Sequence, residues 1–218
     1  MDLCVKDVAE LLSMPESAVE QLSSEGSLPA YCIEGQYRFS RLEVEDWLMH
    51  EHQAETASSA RKGLNQFCLY RALNQGDVLP SAQSRVKEEV IVSSAHVIAD
   101  VLHLDGQVLS ELLLEREALV PTAIGHGIAI PHTRELIHKN STDRLFVLYA
   151  KEPLEYGALD HIPVHTLFFL FAASDKGHLQ LLAKLAHFAR SPAAMQLLRL
   201  CPPKRELLET FRAWEAGV

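Results

Sequence analysis

The sequence predicts an α/β (α+β) protein, with a mixed β-sheet flanked by helices in the carboxy-terminal domain and a small, mostly helical amino-terminal domain. Three observations carry this. Leu145–Ala150 and Val164–Ala172 are nearly unbroken apolar runs of strand length, the pattern of strands buried on both faces. Segments with apolar residues three and four apart alternate with those runs, as helices covering a sheet require. The first fifty residues instead show short helical stripes punctuated by turn signals and one hairpin. At 218 residues the chain has room for two domains, read as 1–50 and 67–218 with a linker at 51–66.

Composition narrows the class. Apolar residues make up 48% and charged residues 22%, ordinary for a soluble globular protein. No apolar stretch reaches the roughly 18 residues of a membrane span, and the amino terminus has neither a basic region nor a long apolar segment resembling a signal peptide. Cys4, Cys32, Cys68 and Cys201 are scattered without a C-x-x-C pair, so they read as buried, reduced thiols in a cytoplasmic protein. A formal net charge of −9 disfavours non-specific nucleic-acid binding by the whole molecule.

In chain order, Val5, Val8, Leu11 and Leu12 share one helical face, and Ser13-Met14-Pro15 ends that helix. Ala18, Val19 and Leu22 form the stripe of a second helix, closed by Gly26. Leu28–Ile33 and Gln36–Phe39 flank Glu34-Gly35 as a two-residue hairpin. Ser40 then caps a third helix through Leu42, Trp47 and Leu48. Helix, turn, helix, hairpin, helix is the order of a winged helix-turn-helix. Val5–Leu12, Gly26–Ala30, Arg38-Phe39 and Glu45–Leu48 resemble the excisionase/MerR-type domain. That resemblance implies DNA binding, with Ser17, Gln21, Arg38 and Arg41 as the candidate contacts. Charge points the other way. Lys6, Arg38 and Arg41 face ten acidic side chains in residues 1–50, a net of −7, and phosphate neutralisation needs cations. A DNA site and a protein-docking module both remain open.

Residues 51–65 lack a clean apolar period and read as a linker or an extension of the third helix. Beyond Phe67, Arg85–Leu104 carries Val86, Val90, Ile91, Ala95, Ile98, Val101 and Leu102 at helical spacing, and Gly106–Glu117 forms a second helix with Val108, Leu109, Leu112 and Leu113 apolar. The two buried strands follow. Helices are expected over Gly177–Arg190, Pro192–Leu200 and Pro203–Trp214.

Between the helices and strands lies Ala123-Ile124-Gly125-His126-Gly127-Ile128-Ala129-Ile130-Pro131-His132. Ile128–Ile130 suit a buried strand end, Gly125 and Gly127 permit left-handed backbone or close approach, and Pro131 holds Ile130 extended. An imidazole on so stiff a backbone at a sheet edge suits a nucleophile, although a lone histidine after a strand is also a common surface residue. Gly-Ile-Ala-Ile-Pro-His resembles the active-site signature of fructose/mannitol-type enzyme IIA domains of the bacterial phosphotransferase system, nearest their nitrogen-regulatory, PtsN-like branch. The resemblance spans roughly 67–218. It implies that His132 accepts a phosphoryl group from an HPr-type phosphocarrier.

By the same resemblance, Arg116 would bind phosphate oxygens through its guanidinium fork, and His178 would be a second active-site histidine. Read alone, they are a solvated arginine at a helix end and a histidine facing water at a helix start. Two positions depart from the family pattern: Thr133 replaces a glycine or other small residue, and His126 replaces a common asparagine. A metal centre is the rival chemistry. His161 and His165 are four apart, but His161-Ile162-Pro163 is turning or extended and no Asp/Cys set accompanies them, so no metal and no cofactor are expected. G-x-x-x-x-G-K-[ST] and G-x-S-x-G motifs are both absent. The expected protein is a phosphorylated regulator, a phosphoryl-transfer protein rather than a turnover enzyme, acting on DNA or a protein target. The alternative is a DNA-binding or protein-docking regulator whose IIA-like domain is not phosphorylated.

Overall fold

The computed structural model of the chain describes residues 3–12, 14–33, 35–50, 68–137 and 142–217. The expected linker at 51–66 lies outside them. The described residues form two compact units. One contains the residues up to Cys68 together with Ser174–His187; the other contains Leu69–Ala173 and Phe188–Val218.

In the first unit, β1 (Leu3–Cys4) leads into α1 (Val5–Leu12), followed by α2 (Glu16–Ser24), β2 (Tyr31–Ile33), β3 (Gln36–Phe39) and α3 (Arg41–His50). The chain leaves α2 through Gly26 at φ +74°, with the Ser27 and Leu28 amides both donating to the Leu22 carbonyl. β2 and β3 pair antiparallel with Ile33 opposite Gln36, the register of the expected two-residue turn. β1 adds a third strand that the sequence reading lacks, pairing Leu3 with Phe39 and Cys4 with Arg38. Val8, Val19, Leu28, Phe39, Val44 and Leu48 are almost wholly buried. This core also takes in Leu179, with Ala183 packed against it, from a later helix, α7 (Asp175–Ala189), whose residues as far as His187 belong to this unit.

In the second unit, α4 (Leu69–Gln75), α5 (Lys87–Leu102) and α6 (Gly106–Leu119) precede β4 (Ala123–Gly125), β5 (Ile128–Ala129), β6 (Arg144–Leu154) and β7 (Val164–Phe171). After α7 come α8 (Pro192–Arg199) and α9 (Lys204–Ala216). The sheet order is β4-β5-β7-β6, with β5 and β7 parallel and the other pairs antiparallel. It is the mixed sheet expected. Phe146, Leu148, Leu167, Phe169 and Phe171 share a core with Ile91, Ile98, Leu109 and Leu113 of α5 and α6. On β7, Phe168 alternates with those residues and meets Phe211 of α9, which packs edge-on to Phe188 at 4.8 Å between ring centroids. Glu215 of α9 accepts the Leu69 and Tyr70 amides, satisfying donors at the start of α4.

Several expectations need correction. Val86, Val101 and Val108 are exposed rather than on the buried stripes. No cysteine is buried: Cys32 and Cys201 are exposed, and Cys4 and Cys68 are partly so. Helix α4 and the segment 77–82 were not foreseen. That segment runs along the outer side of β6, where the Leu79 amide donates to Val147 O at 2.7 Å and the Val147 amide to Asp77 O at 2.9 Å.

Candidate functional site

His132 lies just beyond β5, an inner strand flanked by β4 and β7, and not at the sheet edge that was expected. Parallel pairing of Ile128 with Thr166 and Ala129 with Leu167 continues to a bridge between His132 and Leu170, where the Leu170 amide donates to Pro131 O at 3.1 Å. Ile128, Ala129, Ile130 and His132 have no exposed surface, which removes the reading of His132 as an ordinary surface histidine.

Its two ring nitrogens have different partners. Nδ1 is 2.7 Å from the Ile130 carbonyl, which can only accept, so Nδ1 carries the proton. Nε2 then presents a lone pair, and Arg116 Nε–H donates to it at 3.1 Å. Arg116 sits in the last turn of α6, fully buried, and its NH1 group also donates to Val120 O at 2.8 Å. The structure thus brings together the histidine and arginine singled out in the sequence, with the basic lone pair facing the guanidinium.

The hairpin before His132 explains one departure from the family pattern. Gly125, His126 and Gly127 have φ of +83°, +56° and +78°, a left-handed run in which asparagine and histidine are among the better-tolerated side-chain residues. The His126 amide donates to Asp160 Oδ2 at 2.7 Å. A Cβ on Gly127 would meet His165 Cδ2 at 2.5 Å, so both backbone angle and space call for glycine there. Thr133, the other departure, is buried and its hydroxyl donates to Glu135 O at 2.7 Å.

Behind Arg116 lies a polar cluster that the sequence reading missed. Glu117 is 4% exposed; its Oε2 accepts from the Thr122 amide at 3.1 Å and the Thr122 hydroxyl at 2.6 Å, and Lys87 Nζ is 3.3 Å from its Oε1. Burial pushes the Glu117 carboxyl up, against the opposing pull of Thr122 and Lys87. Tyr156 OH lies 3.5 Å from Thr122 Oγ1, and Lys87 Nζ stands 5.0 Å above its ring. The signal was present in the spacing. Leu109, Leu113, Arg116 and Glu117 fall at i, i+4, i+7 and i+8, so two charged residues occupy the inward stripe of α6.

His178 is on α7 in the first unit, 3% exposed rather than facing water, with Nε2 3.4 Å from Glu45 Oε1 on α3. Arg41 also belongs to this unit and bridges Glu45 at 3.0 Å and Asp175 at 2.7 Å. Its pKa is raised: burial opposes this, but the bonds to Asp175 and Glu45 outweigh it. Ser17 and Gln21 are exposed on α2, Gln21 donating to Glu25 Oε1 at 2.8 Å. Arg38 is partly buried on β3 and donates to Gln36 Oε1 at 3.1 Å. His161 is exposed in a left-handed turn before β7, so it and His165 do not share a helix face. Burial first, and the Arg199 charge second, lower the pKa of His165.

The model of the family described as phosphoenolpyruvate-dependent sugar phosphotransferase system, EIIA 2 matches residues 72–214, and that of a helix-turn-helix domain matches 3–51. The chain is 32% identical over 144 residues to a nitrogen regulatory protein of Pseudomonas aeruginosa, covering 65% of this chain and 92% of the relative. It is 30% identical over 126 residues to one of Bradyrhizobium diazoefficiens, covering 56% and 80%. Among solved structures, nitrogen regulatory protein IIA-Ntr from Neisseria meningitidis superposes with a TM-score of 0.56 at 24% identity, over 64% of this chain and 94% of the other. Enzyme IIAMTL of Escherichia coli, solved in complex with phosphorylated enzyme IIBMTL, gives 0.53 at 18% identity, over 63% and 94%. These two similarities speak to the fold. Among the described residues, no helix is long and apolar enough to cross a membrane.

Proposed function

Because the chain belongs to the phosphoenolpyruvate-dependent sugar phosphotransferase system EIIA 2 family, we propose that His132 accepts a phosphoryl group from a histidine-phosphorylated, HPr-type phosphocarrier. The observation that carries this reading is the Nε2 lone pair of His132 set 3.1 Å from Arg116 Nε. His132 is fully covered in this structure, so its covering side chains must part for the donor to reach it. In the transfer, Nε2 attacks phosphorus in line, the P–N bond to the donor ring breaks, and its electron pair returns to the donor imidazole. No proton needs to leave His132. Its Nδ1–H stays on Ile130 O, and that carbonyl stabilises the positive charge the ring acquires. Arg116 exchanges the nitrogen lone pair for the equatorial phosphoryl oxygens, which its fork fits. The family resemblance adds His178 as a further hydrogen-bond donor in the same chemistry.

The amino-terminal unit passes the phosphorylation state to a cytoplasmic partner. Phosphorylation adds about 1.5 to 2 negative charges, enough to make or break an interface. Two observations favour a protein partner over DNA: the unit is strongly acidic, and Arg41 is engaged by Glu45 and Asp175.

The test is intact-mass spectrometry at alkaline pH after incubation with phosphoenolpyruvate, enzyme I and phosphocarrier. One acid-labile phosphate adduct is expected, absent in His132→Ala. Absence of any adduct on the unaltered chain would overturn the reading in favour of an unphosphorylated binding module.

A further inference from the structure

We propose that Glu117, clamped by Lys87 and Thr122, is a positioning residue for phosphoryl transfer at His132. The inference rests on the function proposed above. The loop between α6 and β4 is held from both sides by adjacent residues of one helix turn. Arg116 donates to the Val120 carbonyl, and Glu117 accepts both the amide and the hydroxyl of Thr122. The Thr122 carbonyl in turn accepts the Ile130 amide at 2.9 Å, and the Ile130 carbonyl fixes the Nδ1 proton of His132 at 2.7 Å. A short series of hydrogen bonds therefore runs from the Lys87–Glu117 pair to the carbonyl that sets the His132 tautomer. Thr122, Arg116 and His132 have no exposed surface, so water is not at hand to replace a broken link.

A carboxylate suits this role because it only accepts. With two donors from Thr122 on one oxygen and Lys87 against the other, its orientation is unique. Glu117→Gln keeps an acceptor but removes the charge facing Lys87 and offers an amide that can turn over. The loop then loses its single seating, and His132 and Arg116 lose their common register. Small displacements of reacting groups lower transfer rates steeply.

The experiment compares unaltered chain, Glu117→Gln and Thr122→Val by single-turnover transfer from the phosphorylated phosphocarrier across donor concentrations. Nitrogen-15 chemical shifts of His132 are recorded without any donor. Glu117→Gln is expected to lower the maximal transfer rate about 10- to 100-fold at unchanged half-saturating donor concentration. It should also turn the single His132 tautomer into a mixture. Thr122→Val, which loses only the hydroxyl link, should show the same changes more weakly, and it tests the series if Glu117→Gln does not fold. Variants that melt earlier but keep the unaltered rate and a single tautomer would overturn the proposal, leaving Glu117 a stabilising residue only. If the unaltered chain takes up no phosphate, the proposed function fails, while the tautomer measurement still decides the positioning role.

Discussion

At His132 the neighbouring groups assign the two ring nitrogens different work: Ile130 holds the proton of one, and Arg116 faces the lone pair of the other. Arg116→Lys keeps the charge but loses the fork and the Nε donor, so phosphoryl transfer should fall by on the order of 10²-fold, measured by single-turnover transfer. His165 gives a pH test. Its folded pKa lies below the ordinary value of 6.5, so the unfolded chain binds the proton first as pH falls. Its contribution is fully present above about 6.5 and is lost as pH drops through the folded value. Melting temperatures between pH 8 and pH 5 should therefore fall more for the unaltered chain than for His165→Gln.

At the scale of elements, the close approach of α4 to β6 depends on Gly76. A Cβ there would stand 1.9 Å from the Leu145 carbonyl oxygen, which neither strand nor helix end can yield cheaply. Gly76→Ala should destabilise the fold by about 1–3 kcal/mol or more, read from denaturant midpoints at unchanged slope. The elements differ in how legible they were. β6 and β7 stood out because strands buried on both faces are apolar at every position, and α5 and α6 because their stripes repeat over several turns. β1 is two residues long, and the 77–82 segment pairs through isolated bridges, so neither carries a period that a sequence can show. In the site, the glycines and the proline announced a stiff backbone at His132. The partnership of Glu117 with Lys87 joins residues thirty apart, through a bond that exists only once α5 and α6 have packed. The buried stripe of α6 marked the acid; its partner was invisible. The exposure of Val86, Val101 and Val108 shows the same limit, since an apolar residue at helical spacing still needs something opposite it.

At the scale of the whole molecule, the first unit's core runs from Val8 and Phe39 through Trp47 to Leu179 of α7. Leu179→Ala should therefore cost about 2–5 kcal/mol, because the small side chain leaves a cavity that the packed neighbours fill only in part. Thermal unfolding followed by Trp47 fluorescence in a Trp214→Phe background would show the shift, and an unchanged transition would mean that α7 does not close this core. Helix α7 also holds His178 against Glu45 and carries Asp175 against Arg41. One helix thus serves as a wall of the helix-turn-helix core and as the carrier of the buried His178, for which a part in phosphoryl transfer is proposed. For anyone building chimaeras, the first fifty residues are not a detachable cartridge. A transplanted amino-terminal module must bring an inner face that fits Leu179 and Ala183 and an acid that meets His178. Recombination that exchanged one without the other would leave an apolar scar, so the two segments should descend together or be lost together.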